Sequence, residues 1–169
     1  AYTIGRQAAL GAEALEAAPL HGLREEAVLL ARLVAGLMSD DQRTPAAGRA
    51  EALGLLALIL HAEARRPAQS TADGAFVPLL QQDTGRWELP LIREAEALLW
   101  RAQALHAPGR FQLEAAIQSA HAQRRTSGSV PWYGIAQLYA VLVTMHPTIG
   151  ARVGQAVALA EAGANEAGL

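Results

Sequence analysis

A chain of 169 residues is long enough to bury a substantial core as one domain. Hydrophobic residues make up 51% of it and aromatic residues only 5%, so Ala and Leu carry the apolar fraction and favour helices packed through small side chains. The 14 basic and 16 acidic residues leave a net charge of −2, which excludes the dominant basic surface that nucleic acid or lipid headgroups need, and the lack of cysteine excludes disulfides, thiolate metal sites and a Cys nucleophile.

The longest apolar run, Ala52 to Leu60, is far short of the roughly 20 residues that span a bilayer. The N-terminus has no basic region followed by an apolar one, so no signal peptide is read there, and a cytoplasmic location is expected. A start at Ala1 without Met is what a piece of a longer protein would have.

Residues 1–22, Ala-rich and broken by Gly5, Gly11 and Pro19, predict a short or frayed helix and a weakly ordered segment. From Leu23 the positions Ala27, Leu30, Ala31, Val34, Leu37 and Met38 form one stripe of a 3.6-period helix, with Arg24, Glu25, Glu26 and Arg32 off it and facing water. The polar run SDDQRTP ends this helix, and Thr44-Pro45 reads as the next start, Thr as N-cap and Pro at the first helical position. The helix from Pro45 to about Arg66 contains LGLLALIL, apolar on every side, which a helix tolerates only when others surround it, so it is the expected centre of the bundle. Pro67 stops it.

A loop of some 20 residues follows, and loops longer than about 12–15 residues in a compact domain are usually functional or disordered. Here Phe76, Leu79, Leu80 and Trp87 predict a packed loop. Its Ala72-Asp73-Gly74-Ala75 reads as a tight turn with Gly at positive φ, flanked by a short hairpin arm or a simple ordered excursion. The next helix, about Glu88 to Leu105, carries Leu91, Ala95, Leu98, Ala102 and Leu105 in register. Pro108-Gly109 separates it from a helix with Phe111, Leu113, Ala116, Ile117 and Ala120. After the solvated connection RRTSGSVP come stripes at Ile135, Leu138, Tyr139, Leu142 and at Ile149, Val153, Ala156, Val157, Ala160.

With no recurring strand pattern, the predicted fold is all-α, a bundle of antiparallel helical hairpins with six or seven helices and a long ordered loop near 67–88. Residues 23–128 are the core helices. Residues 129–169 are tetratricopeptide-like, the stretch ALAEAGANEAGL reading as a helix, a Gly turn and a restart near Asn165 in an incomplete last repeat.

Chemistry is sparse. None of His21, His61, His106, His121 and His146 pairs with a second ligand at helical spacing, so no metal site is read. A nucleophile elbow, a phosphate-cradling loop and a dinucleotide fingerprint are absent, so no catalytic residue and no cofactor are assigned. The constellation with most content is His61, Arg65, Arg66, Asp73, Asp83, Arg86 and Trp87, at the ends of two helices and on the loop between them. Bidentate Arg–Asp pairs there could pin the loop onto the bundle, or the arginines and Trp87 could contact a partner or an anion. A small-ligand or enzymatic site around His61, Arg65 and Arg86 is the competing reading. Arg124 and Arg125 are read as charges favourable to a helix dipole.

The run from Glu51 to Leu99, EALGLLALILHAEARRPAQSTADGAFVPLLQQDTGRWELPLIREAEALL, resembles the helical C-terminal extension of one subgroup of extracytoplasmic-function RNA polymerase sigma factors. The subgroup's pattern is a leucine-rich helix ending in a basic pair, an acidic-Gly turn, then Asp-Gln-Asp-Arg-Ser-Arg-Trp-Asp. Here that motif is Gln81-Gln82-Asp83-Thr84-Gly85-Arg86-Trp87-Glu88, keeping the Asp, Arg and Trp. Pro108 to Ile117, His121-Ala122 and Trp132 to Tyr139 are similar too, so the resemblance covers most of residues 23–160. Tyr2 lacks the Asn-Glu-Gly motif that follows a Tyr in the family, and Gly154-Gln155 replaces an Asn-Arg pair. The sigma regions that melt and read promoters are not in this chain. The resemblance implies a non-enzymatic, tetratricopeptide-like regulatory module of a cytoplasmic bacterial transcription factor. It implies protein partners: sigma DNA-binding domains of the same polypeptide, RNA polymerase or a small DGPF-motif protein. Direct nucleic-acid binding and membrane contact are not implied, and the oligomeric state stays open.

Overall fold

In the computed structural model, the residues described are 22–39, 41 and 43–167, with side chains described to residue 163. The expectation for residues 1–21 lies outside them. The architecture is all-helical. Helix α1 covers residues 22–39. It is followed by α2 (Ala46–Arg65), α3 (Leu89–Gln103), α4 (Arg110–Ala122), the single-turn α5 (Arg124–Ser127), α6 (Trp132–Met145) and α7 (Ile149–Ala167). Between α2 and α3 the chain makes three 3₁₀ turns, Arg66–Ala68, Leu79–Gln81 and Thr84–Arg86.

α2 is the centre, as its all-round apolar sequence predicts. It packs on α3 and on α4, and buries Leu53, Leu56, Ala57, Leu60 and Ala64. Its start differs by one residue from expectation: Pro45 is the N-cap and no side chain caps it, so Thr44 does not play that role. α4 is the seam between two cores. Its Ala115 joins the core of α1, α2 and α3, while Leu113, Ile117 and Ala120 join the core of α6 and α7.

Two contacts set the α2–α4 crossing. A Cβ on Gly54 would lie 2.4 Å from the Gln112 nitrogen and 2.7 Å from its Cα, so the α4 backbone rests directly on this glycine. α4 begins at Gly109, which has no side chain to cap the first turn, and Glu51 of α2 supplies the cap. Its carboxylate accepts from the backbone N–H of Arg110 and of Phe111, each at 2.7 Å. An anion at a helix N-terminus satisfies orphan donors and complements the helix dipole.

Two apolar stripes read from the sequence are mostly exposed; of the α1 stripe only Ala31 is buried and Met38 half-buried. α1 buries Ala31 and Ala35, while Leu30, Val34 and Leu37 are exposed, Leu37 by 71%. α7 buries Ala151 and Ala158, and Ile149, Val153, Ala156, Val157 and Ala160 all face away from α6. Small residues win both faces because they let helices approach closely: the ring of Tyr139 occupies the place a Cβ would take on Gly154. α7 also runs on through Gly163 to Ala167, so the turn and the restart near Asn165 are not formed. The helix interior tolerates glycine at a cost of about 1 kcal/mol, and no other turn signal stands beside it.

Candidate functional site

The loop between α2 and α3 is an ordered strap. Thr71 and Ala75 pair through the Thr71 N–H and the Ala75 carbonyl, Val77 donates to the Gln69 carbonyl at 2.8 Å, and a single antiparallel bridge joins Ser70 and Phe76. Of the two shapes expected, a hairpin arm or a simple excursion, the segment is an excursion closed by one bridge. Gly74 sits at φ +86°, the conformation the turn requires. Gln82, buried, donates to the Val77 carbonyl at 3.0 Å, and Asp83 accepts from the Gly85 N–H at 2.8 Å to start the last 3₁₀ turn. The Glu88 N–H then donates to the Ala64 carbonyl at 2.8 Å, satisfying an orphan carbonyl at the end of α2.

The strap is fastened by α5. Arg124 donates to the Leu80 carbonyl and, at 2.7 Å, to the Gln82 carbonyl. Arg125 donates to the carbonyls of Thr84 and, at 2.8 Å, of Trp87. Two guanidinium groups thereby hold four carbonyls of the strap, two of them in its 3₁₀ turns. Trp87, 3% exposed, fills the space beneath, against Ala68 and Ala122 with Leu79 and Ile92 around it. Leu79 packs as predicted, whereas Phe76 and Leu80 are exposed, Phe76 by 75%.

The expected Arg–Asp pairs are not the fasteners. Asp73 accepts from the Thr71 hydroxyl, which holds its carboxyl below the usual range, and Asp83 serves its own turn. Arg66 pairs with Glu63 at 3.5 Å within the helix end, and Arg86 reaches the Ser70 carbonyl at 3.5 Å. Asp73 and Asp83 each bond within their own turn, two residues away, and among the described residues neither has a guanidinium within ion-pair distance. Arg124 and Arg125, read as dipole partners, take that role, and doublet arginines beside the Ser-Gly-Ser break were the signal available.

Arg65 turns into the α2–α4 interface and donates to Gln118 at 2.5 Å. Beside it lie two histidines. His61 is 2% exposed, and burial, followed by the charge of Arg65, lowers its pKa to about 4. His121 is lowered to about 4 by burial, then by Arg65 and Arg124, and its ring meets Trp132 edge-on at 5.4 Å. The His61 Nε2 stands 3.5 Å from a Glu96 carboxylate oxygen, a contact between a neutral ring and an anion at pH 7. Arg65 and Gln118 thus make a polar seam across the α2–α4 interface, flanked by His61, which faces Glu96 of α3, and by His121, which meets Trp132 of α6; Arg86 does not join it, since it bonds to the loop.

The chain belongs to a family of unknown function, DUF6596, whose model matches residues 2–103. That span ends with α3, so the Arg124–Arg125 fasteners lie outside it. An uncharacterised protein of Rhizobium meliloti (strain 1021) is 34% identical over 147 residues, which are 87% of this chain and 33% of that protein. The chain thus spans about a third of the length of the curated relative it matches. No solved structure matches. No helix among the described residues is long and apolar enough to cross a membrane.

Proposed function

We propose that the chain is a regulatory, protein-interaction domain of a sigma-factor-like transcription regulator in the bacterial cytoplasm. The carrying observation is that residues behind the sigma-extension resemblance build the strap and the start of α4: Asp83 starts the strap's last turn, Trp87 is its buried anchor, and Gly109 to Phe111 form the capped start of α4. A resemblance carried by fold-determining residues supports a shared fold, and the all-helical architecture agrees with it. The Rhizobium meliloti relative has about two thirds of its length beyond the matched 33%, room for the DNA-binding regions such a regulator needs.

In this reading the domain docks sigma DNA-binding regions of the same polypeptide, RNA polymerase, or a small DGPF-motif protein. The strap is a rigid arm whose exposed Phe76 and Arg86 face the partner, while Trp87 and Asp83 keep its shape. The test is to replace Phe76, Arg86 and Trp87 singly in a longer protein carrying this domain, and to follow thermal stability and reporter transcription together. Transcription lost in F76S and R86S at unchanged stability is the expected result. Transcription that falls only in step with stability overturns the contact role.

A further inference from the structure

A second surface is better shaped for a macromolecule than the strap. α3 and α6 both pack on α4, one on each side, and leave a groove of about 590 Å³ between them. Each helix gives it one face at helical spacing: Glu96, Leu99 and Trp100 from α3, Ala116 and Ala120 from α4, Leu138 and Val141 from α6. The floor is small-residue α4, and the lips are large: Trp100 is 71% exposed and Val141 46%. From Gln112 to Gln123 the floor is about 16 Å long at 1.5 Å per residue, about three helical turns.

Among the lining residues Glu96 alone carries a formal charge. Its one cationic candidate within ion-pair distance is His61, a ring kept neutral by burial, so among the described residues no Lys or Arg pairs with the carboxylate. The Gln112 side-chain oxygen, also in the lining, is buried without a hydrogen-bond partner. The groove is thus an apolar, helix-wide floor with uncharged polar residues at its edges and one solvent-reaching carboxylate, and the guest that complements it brings an apolar stripe and a positive charge.

We infer that this groove is a docking site for an amphipathic helix of a partner protein, which lays apolar residues at i, i+4 and i+7 over Ala116 and Ala120 and sets one Arg or Lys against Glu96. The inference deepens the reading of the chain as an interaction domain and needs no polymerase. A failure here therefore leaves the transcription experiment standing, and the reverse also holds.

The probe is a labelled synthetic helix of about 15 residues, Leu at i, i+4, i+7 and i+11 on an Ala/Gln background, with one Arg stepped along the flank of the stripe, and a matched series with Glu. Binding to the full 169-residue chain is read by fluorescence anisotropy and by the blue shift of Trp100 emission, absent in W100F. The expected result is that the best Arg peptide binds about tenfold tighter than its Glu counterpart, that E96R inverts this preference, and that V141E abolishes binding of both. Glu96, Trp100 and Val141 all reach solvent, and unchanged melting of the variants certifies the fold. Equal binding of the Arg and Glu series, binding that survives V141E, or no binding at all overturns the inference. So does concentration-dependent self-association that V141E removes, which would give the groove to a second copy of the chain.

Discussion

The guanidinium of Arg124 lies 5.4 Å from the ring centroid of Trp87 while its Nη2 donates to the Gln82 carbonyl at 2.7 Å, so one side chain covers the indole and holds the strap that carries it. The strap leaves Phe76 and Leu80 exposed and buries little apolar surface besides Trp87, so its attachment rests on this contact, on Arg125 and on that indole. Hydrogen bonds from a charged donor are worth about 1.5–3 kcal/mol, and removing a buried Trp costs about 3–5 kcal/mol. Arg125→Met is therefore expected to lower stability by about 2 kcal/mol and Trp87→Ala by about 4 kcal/mol. Limited proteolysis checks where the effect falls: the Arg124→Met/Arg125→Met pair should open cleavage within 70–83 before any global unfolding. Cleavage sites unchanged from the parent chain would show the strap to be held by something else.

Gly54 and Gly36 make a contrast. A Cβ at Gly54 meets the α4 backbone at 2.4 Å, whereas at Gly36 nothing lies within 4 Å. Gly54→Ala is expected to cost about 1–3 kcal/mol or more by forcing α4 off α2, and Gly36→Ala to gain about 0.5–1 kcal/mol by reducing unfolded-chain freedom. Urea unfolding of the two variants should shift the midpoint in opposite directions.

Glu51 caps a helix that begins on a bare glycine. Glu51→Gln keeps an acceptor but removes the charge, and Glu51→Ala removes both, so the losses should rank in that order, the second about 1–2 kcal/mol. Amide exchange at Arg110 and Phe111 reports the site directly. Protection there that is equal in parent and Glu51→Ala would refute the cap.

His61 and His121 are held near pKa 4 against an ordinary 6.5, so the unfolded chain binds protons that the folded one refuses. Stability rises with pH wherever the unfolded state binds more protons. It should therefore be full above about pH 6.5, fall as the pH drops below that value and level off for these groups near pH 4. For the fully buried His61 the loss is on the order of 3 kcal/mol. Melts at pH 7.5, 5.5 and 4.5 should flatten in His61→Leu. A slope between pH 6.5 and 4.5 that is the same in parent and variant would sink this account.

Helix positions, the breaks at Pro67, Pro108, Pro131 and Pro147, and the central place of α2 were legible without coordinates, because periodicity, proline sterics and an all-apolar run act within a few residues of themselves. The tight turn at Gly74 was legible for the same reason, since its φ of +86° needs only a glycine. The strap's fasteners and the seam were not. Arg124 lies 42 residues from the carbonyl of Gln82 that it holds, and Glu51 lies 59 from the N–H of Arg110. Nor could hydropathy choose the buried faces of α1 and α7. A leucine stripe states that one face is apolar, but in an Ala- and Gly-rich chain the rival face of small residues allows closer helix contact, and only packing in three dimensions decides between them.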